Sequence, residues 1–188
     1  EFDIHTGKLK IWRWHDFVKE RTEEKIDYGN LETILFQSVK RHLISDAPIG
    51  IQLSGGIDSS ILAWYMSKIK GEGIKSFSIE FPDSKYDESV EASNIAKKFN
   101  FDHHSIPFSV NDFIEIWPKA IKFFDEPINH PHTLPLFKLY QVAKTHVKVL
   151  LSGEGADEVF LGYPHHKKTL KITNFNDLRN FSKFLDFD

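Results

Sequence analysis

Short apolar runs alternate along the chain with longer stretches in which apolar residues recur every three or four positions. The runs lie at 49–53, 74–81 and 147–151, and short runs of this kind are typical of buried strands. A further short strand is predicted at 103–107. Strands that alternate with helices predict an α/β fold, with a mostly parallel sheet, helices on both faces and right-handed crossovers.

The helical spacing predicts five helices, one before the first strand and four between the strands. They cover about 31–43, 59–70, 92–99, 109–124 and 136–145. Ser109 is the expected N-cap of the fourth helix, and Pro118 is expected to interrupt that helix. The segment 125–135 contains three prolines, so we expect an ordered loop or an extended connector there.

The two ends of the chain carry weaker patterns than its middle. Residues 1–29 are mixed and charged, which indicates a strand and a linker rather than a core. The tail from Thr169 is polar with scattered Phe, and we expect one or two helices in it. Because the sequence does not begin with methionine, we also expect it to be a fragment or a processed piece of a longer protein.

The composition excludes several classes of protein. Of the 188 residues, 40% are hydrophobic and 27% are charged, as in ordinary globular domains. The 24 basic and 27 acidic residues give a net charge of −3, so we expect no nucleic-acid binding through bulk positive charge. Cysteine is absent, and no apolar run reaches the length of a membrane helix. These features predict a cytoplasmic protein that does not act at a membrane.

The most informative segment is 53–60, which joins the first predicted buried strand to the next helix. At the carboxyl end of a parallel strand, a helix N-terminus and close-approaching glycines form a site for anions, and neighbouring serines add donors. The lysine of a Walker motif and the third glycine of a dinucleotide fingerprint are missing. Asp58 stands in this cradle instead, which predicts a Mg²⁺ ion between carboxylate and phosphates. An ordinary serine- and glycine-rich turn is the alternative.

A second segment, 152–158, repeats this arrangement after the last predicted strand. It reads Ser-Gly-Glu-Gly-Ala-Asp-Glu. The carboxyl-end loops of one parallel sheet can face each other across a crevice, so Asp58 and Asp157 are expected to share Mg²⁺ bound to a triphosphate. Glu154 lies between two glycines, and its side chain is free to reach a reacting group. The alternative here is a surface turn.

These two segments together resemble the synthetase domain of glutamine-dependent asparagine synthetases, which belong to the PP-loop ATP pyrophosphatases. The resemblance covers about 31–163, with supporting matches at 76–81, 86–88, 103–104 and 125–127. It implies an adenine-nucleotide alpha-hydrolase-like fold. It also implies that 1–29 is a linker at the end of a glutaminase domain, 30–165 the ATP-binding synthetase domain, and 166–188 the start of an incomplete helical region.

The resemblance implies a reaction in two steps, with ATP and Mg²⁺ as cofactors. The aspartate side-chain carboxylate becomes an acyl-adenylate with release of pyrophosphate, and ammonia then displaces AMP to give asparagine. The implied partners are aspartate and ammonia, with a glutaminase domain and a homodimer in the full-length protein. The implied AMP ligands are Leu53, Ile79, Ser152 and Gly153. The implied pyrophosphate ligands are Ser54, Gly55, Gly56, Asp58 and Ser59. Asp58 and Asp157 are the implied Mg²⁺ ligands, and Glu154 is the implied catalytic residue.

Three features depart from the family pattern. The glutaminase domain of the family begins with a catalytic cysteine, which this chain lacks. A basic residue that the family uses late in catalysis lies beyond this chain's last residue, since Lys167 and Lys168 are too early to replace it. Leu161 stands where the family usually has glycine, and we expect it to alter the start of the helix behind the acidic loop.

Two other functions are compatible with the same residues. A related PP-loop enzyme could amidate a different carboxylate, and a fragment with intact loops could bind nucleotide without turnover. A zinc site is not favoured, because the ten histidines lack the spacing of zinc ligands and have no cysteine partners. His130 and His132 are expected to pack or to face solvent, and Trp12 and Trp14 to anchor a core or an interface.

Overall fold

The computed structural model describes residues 1–13, 27–82, 84–164 and 166. The chain divides into two compact units, 1–35 and 36–188. In the first unit, strands β1 (Phe2–Asp3) and β2 (Lys8–Leu9) pair antiparallel. The carboxylate of Asp3 accepts hydrogen bonds from the backbone amides of His5 and Thr6, which closes this turn. Helix α1 (Tyr28–His42) runs across the boundary between the units.

The second unit contains a four-stranded parallel sheet. Its strands are β3 (Ile49–Gln52), β4 (Lys75–Glu80), β5 (Asp102–Pro107) and β6 (Val149–Leu151), in the order β5-β4-β3-β6. The helices that follow these strands are α2 (Ile57–Lys70), α3 (Ser89–Lys98), α4 (Val110–Phe124), α5 (Thr133–Ala143) and α6 (Ala156–Phe160). This alternation confirms the predicted α/β fold with a parallel sheet.

Apolar side chains are buried on both faces of the sheet, which confirms the prediction of helices on both faces. One cluster includes Ile51 of β3 with Ala63 and Met66 of α2. A second cluster joins Phe77 of β4 to Leu139 of α5. Burial of such side chains is the main favourable term that fixes the helices on the sheet.

Two predicted features of the helices need correction. Pro118 does not interrupt α4, which is continuous for 15 residues, and the proline lies on its exposed side. Proline removes one backbone donor, and burial of Ile116 and Ala120 holds the rest of the helix in place. Helix α5 begins at Thr133 rather than near 136. Pro135 fits within its first turn, because the amides there have no partner inside the helix.

The N-cap prediction for α4 is confirmed. The hydroxyl oxygen of Ser109 accepts a hydrogen bond from the amide of Asp112 at 3.1 Å, and the Asp112 carboxylate accepts one from the amide of Ser109 at 2.8 Å. This reciprocal pair satisfies two amides at the start of the helix. The predicted helices of the tail after 169, and Trp14, lie outside the described residues.

The strand order creates a crevice between β3 and β6. From β3 the chain continues to β4 and β5 on one side, whereas β6 lies on the other side. Because β3 and β6 are neighbours, the loops that leave them lie side by side at the carboxyl edge of the sheet, which is where open parallel sheets bind ligands. Within the described ranges, no helix combines the length and the apolar character needed to span a bilayer.

Candidate active site

The loop after β3 is closed by its own serine hydroxyls. The Ser59 hydroxyl donates to the carbonyl oxygen of Ser54 at 2.9 Å and lies 3.1 Å from the Ser54 hydroxyl. The Ser60 hydroxyl donates to the carbonyl oxygen of Gly56 at 2.6 Å. Ser59 is buried, so its hydroxyl braces the loop against the first turn of α2. This first turn begins at Ile57, two residues earlier than predicted.

Gly55 lies where no side chain fits. A Cβ at this position would lie 2.7 Å from Cβ of Glu91 and 3.3 Å from Cβ of Glu88, both at the start of α3. The Gly55 amide donates a hydrogen bond to the Glu88 carboxylate at 3.1 Å. The start of α3 therefore packs directly against the loop after β3, and this explains why glycine is needed here.

The loop after β6 contacts the loop after β3. A Cβ at Gly153 would lie 3.0 Å from the amide nitrogen of Ser59 and 3.1 Å from Cβ of Asp58. The structure thus brings Gly153 against the start of α2, as expected for two carboxyl-end loops of one sheet. Beyond Gly153, Gly155 adopts φ +89°, and Asp157 follows in the first turn of α6.

Leu161 lies at the end of α6, not at its start as we expected. It is the C-cap of the helix and adopts left-handed backbone angles, φ 59° and ψ 42°. This conformation favours glycine, because a Cβ crowds the following carbonyl oxygen. The next residue, Gly162, donates from its amide to the Asp157 carbonyl oxygen at 3.0 Å, and a side chain there would overlap the Asp157 carboxylate.

A cavity of about 260 Å³ opens beside the loop after β3. Its apolar wall is formed by residues of β4 and α5 and by the positions that follow β3 and β4: Leu53, Ile79, Phe81, Pro135, Leu136 and Leu139. Its polar side chains are Gln52, Ser54, Tyr86, Glu88, His132 and Glu154. A mostly apolar pocket with a few convergent polar groups is the usual form of a small-molecule site.

Four of the predicted site residues line this cavity, namely Leu53, Ser54, Ile79 and Glu154. The same loop continues into α2 with Gly55, Gly56, Asp58 and Ser59. The loop that contacts it contains Ser152 and Gly153, and Asp157 follows in the first turn of α6. The sequence interpretation did not assign Tyr86, Glu88 or His132 to the site. Tyr86 and Glu88 follow the carboxyl end of β4, so the rule that directed attention to the other two loops could have identified them.

The two carboxylates that line the cavity belong to Glu88 and Glu154, and further acidic and phenolic side chains lie near them. The pKa of Tyr140 is raised by its burial and by the nearby Glu154 carboxylate, and its hydroxyl donates to the Gln52 side chain at 3.2 Å. Glu158 accepts a hydrogen bond from the Tyr163 hydroxyl at 2.7 Å, which raises the pKa of Tyr163 to about 12. A phosphate ligand would therefore enter among several carboxylates, where a cation favours its binding.

The donors present fit Mg²⁺ better than a softer metal. In the described part of the chain, no three acidic or histidine side chains converge on one point as a metal site. Mg²⁺ is ordinarily bound by one or two carboxylates together with substrate phosphates, and Asp58 and Asp157 could supply such carboxylates.

The adjacent histidines of β5 pack within the sheet. The His103 ring lies 2.9 Å from the Ser76 hydroxyl and 3.2 Å from the Ser78 hydroxyl, and burial lowers its pKa. His104 stacks on Phe77 with ring centroids 5.1 Å apart. His132, by contrast, is exposed at the cavity rim with its ring near that of His130.

Comparison with solved structures defines the class of fold. Glutamine-dependent NAD⁺ synthetase from Acinetobacter baumannii, in complex with ADP, is similar to this chain with a TM-score of 0.55 and 16% identity. The likeness covers 97% of this chain and 36% of that chain. NMN synthetase from Francisella tularensis gives a TM-score of 0.53 at 17% identity over 74% of this chain and 59% of that chain. The fold is that of the PP-loop adenine-nucleotide alpha-hydrolases, which confirms the predicted fold class.

Sequence comparison then gives the family. The family model of asparagine synthase matches residues 30–185, and the chain belongs to this family. It is 34% identical over 160 residues to asparagine synthetase [glutamine-hydrolyzing] 1 of Bacillus subtilis, covering 85% of this chain. It is 35% identical over 189 residues to putative asparagine synthetase [glutamine-hydrolyzing] 2 of Methanocaldococcus jannaschii, covering 98% of this chain. The chain spans 25% and 36% of the length of these two relatives.

Proposed function

We propose that this chain carries the ATP site of an asparagine synthetase. In the proposed reaction, an oxygen of the aspartate side-chain carboxylate attacks the α-phosphorus of ATP, and the bond to pyrophosphate breaks. Ammonia then attacks the activated carbonyl carbon, AMP leaves, and the nitrogen loses a proton to give asparagine. The observation that carries the proposal is the contact between the loops after β3 and β6 beside one cavity.

The cavity supports a division of the nucleotide between the two loops. Leu53 and Ile79 form part of the apolar wall and would contact the AMP portion together with the backbone of Ser152 and Gly153. Pyrophosphate would lie against Ser54, Gly55, Gly56, Asp58 and Ser59, at the N-terminus of the 14-residue helix α2. The amides and dipole of a helix N-terminus stabilise such an anion.

Asp58 and Asp157 would hold Mg²⁺ against the phosphate oxygens. When bound, Mg²⁺ neutralises charge on the phosphates and makes pyrophosphate a better leaving group. The two side chains come from the first turns of α2 and α6, the helices that follow the contacting loops.

Glu154 is the proposed catalytic residue. It lies exposed at the cavity rim, and its carboxylate is near enough to Tyr140 to help raise the pKa of that hydroxyl. A carboxylate in this position can orient aspartate, or orient and deprotonate the amine nucleophile, which is general base chemistry. All three actions need the charged carboxylate.

The remaining parts of the proposal concern the longer protein. The names of the relatives describe glutamine hydrolysis, and we propose that ammonia comes from a glutaminase domain joined through 1–29. We further propose that 30–165 is the ATP-binding domain, that 166–188 begins a helical region, and that the full-length protein is a homodimer. We place the reaction in the cytoplasm, where ATP, Mg²⁺ and aspartate are available.

Product analysis tests the proposed function. The full-length protein that contains this chain is incubated with ATP, Mg²⁺, aspartate and ammonium, and the nucleotide products are separated by chromatography. We expect AMP and pyrophosphate in equal amounts, and only when aspartate is present. Formation of ADP and phosphate would contradict adenylation, and equal rates with other carboxylic acids would favour amidation of a different substrate.

The Glu154→Gln variant tests the catalytic assignment. We expect adenylate formation to fall by about a hundredfold or more, since positioned acid–base groups contribute about 10²–10⁴. ATP binding, measured by calorimetry, should change little. Glu158→Gln is the matched control, because it removes a carboxylate from α6 that lies outside the cavity lining. Unchanged turnover in Glu154→Gln would exclude this residue from catalysis.

A further inference from the structure

The amide of Gly55 already donates a hydrogen bond to a carboxylate of the chain itself. Glu88 Oε2 accepts this bond at 3.1 Å, from a residue 33 positions away in the sequence. A carboxylate oxygen and a phosphate oxygen are equivalent acceptors for a loop amide of this kind. The Glu88 carboxylate therefore lies where a ligand phosphate oxygen would be expected.

Neighbouring contacts fix Glu88 in this position. The Asp87 carboxylate accepts hydrogen bonds from the Phe81 amide at 2.9 Å and from the Ser89 hydroxyl at 2.6 Å. These bonds lower the pKa of Asp87, with the Ser89 hydroxyl as the largest contribution. They hold the start of α3 against the end of β4, so the backbone on both sides of Glu88 is restrained.

A second acidic side chain also lies close to Gly55. A Cβ added at Gly55 would lie 2.7 Å from Cβ of Glu91 and 3.3 Å from Cβ of Glu88, so two carboxylate-bearing side chains adjoin the loop. Glu88 also lines the cavity and is exposed, which leaves its side chain room to move away. A phosphate oxygen that takes the Gly55 amide must displace the Glu88 carboxylate, because two anionic acceptors on one amide repel each other.

We propose that Glu88 is an internal competitor for phosphate, which occupies the Gly55 amide in the free protein and is displaced by the pyrophosphate part of the ligand. This inference rests on the proposed function, because it takes the loop after β3 to bind phosphate. Its consequence is that the affinity of the loop for pyrophosphate is lower than the loop alone would give. The effect is largest without Mg²⁺, since the ion offsets the repulsion between the two anions.

Calorimetric titration of the 188-residue chain with inorganic pyrophosphate, in the presence of a chelator, tests this inference. We expect Glu88→Gln to bind pyrophosphate about three- to fivefold more tightly than the unchanged chain, the effect of one exposed charge interaction. The gain should shrink when Mg²⁺ or about 0.5 M salt is added. Glu91→Gln is the matched control, since it removes the same charge one turn further along α3, and we expect a change below about twofold.

The outcomes separate this inference from the proposed function. Pyrophosphate binding that is equal or weaker in Glu88→Gln overturns the role of Glu88 and leaves the proposed function intact. Equal gains in Glu88→Gln and Glu91→Gln also overturn it, because the effect would then be general charge repulsion. If no variant binds pyrophosphate either in the chelator or with Mg²⁺ added, both are overturned. Glu88→Ala provides a second variant with the same expected direction, and thermal unfolding verifies that each variant is folded.

Discussion

The two loops that form the crevice differ in how they are supported. The loop after β3 is braced by buried Ser59, leads into the 14-residue helix α2 and is packed against the start of α3. The loop after β6 leads into the five-residue helix α6, whose last residues Val159 and Phe160 are exposed. Its contact at Gly153 fixes one end, and left-handed residues flank the helix on both sides.

This difference matches the tasks proposed for the two loops. A phosphate cradle gains from rigid amides that need no rearrangement when the anion binds. A loop that carries a reacting carboxylate must adjust between binding, adenylation and release, and segments that move in catalysis come from the less stable parts of a fold. The two motifs are similar in sequence, and it is the packing around each loop that distinguishes their proposed roles.

The largest expected effect comes from breaking the supported loop. In Gly55→Ala, the new Cβ meets Glu91 Cβ at 2.7 Å, so the loop or the start of α3 must shift. We expect about 1–3 kcal/mol loss of stability, as for other overpacked sites. ATP affinity should fall by about tenfold or more, because the displaced amides of the loop after β3 no longer point towards the phosphate oxygens. Chemical denaturation and calorimetry measure the two effects.

Gly56→Ala is the control for this prediction. A Cβ at Gly56 meets only the Ser54 hydroxyl oxygen, at 3.2 Å, and a hydroxyl can rotate away. Its loss of stability should be smaller than that of Gly55→Ala. If both variants unfold at the same denaturant concentration, packing against α3 does not support the loop.

The comparison also shows which parts of the site can be predicted from sequence. Strand–loop–helix units are local, so the glycines, serines and acids of both loops could be identified from their order along the chain. The α5 wall, with Pro135 and Leu139, could not, because its apolar pattern predicts only a buried helix and not what the helix covers. The contact between Gly55 and Glu88 depends on how α3 packs, which short-range patterns do not encode.

Helix α5, which forms part of the cavity wall, is held to α4 by an ion pair whose contribution to stability depends on pH. Lys138 of α5 contacts the Asp112 carboxylate at 2.6 Å, and this bond, with those from Ser109, lowers the pKa of Asp112 to about 2. Because the folded pKa lies below the usual value of 3.8, the stabilisation is complete above about pH 4 and is lost as the pH falls towards 2.

Asp112→Asn should therefore lower the melting temperature by about 2–4 °C at pH 7 and by progressively less below pH 4. Calorimetric melting of both proteins across this range provides the measurement. Glu115→Gln, on an exposed part of the same helix, is the control and should show no such trend. A difference between Asp112→Asn and the unchanged chain that stays constant down to pH 2 would mean that Asp112 does not act through its charge.

The smallest expected effect is a gain in stability at the end of α6, the helix that follows the less supported loop. Leu161→Gly relieves left-handed backbone strain at the end of α6, which costs about 1 kcal/mol for a residue with a Cβ. We expect a net gain of about 0.5 kcal/mol, because glycine also increases the freedom of the unfolded chain. Phe160→Gly, one residue earlier and inside the helix, should instead destabilise it. If the gain in Leu161→Gly is accompanied by slower turnover, the strained end of α6 contributes to adjustment of the Glu154 loop. A gain without any change in turnover would mean that the two loops differ in support but not in the motion that catalysis needs.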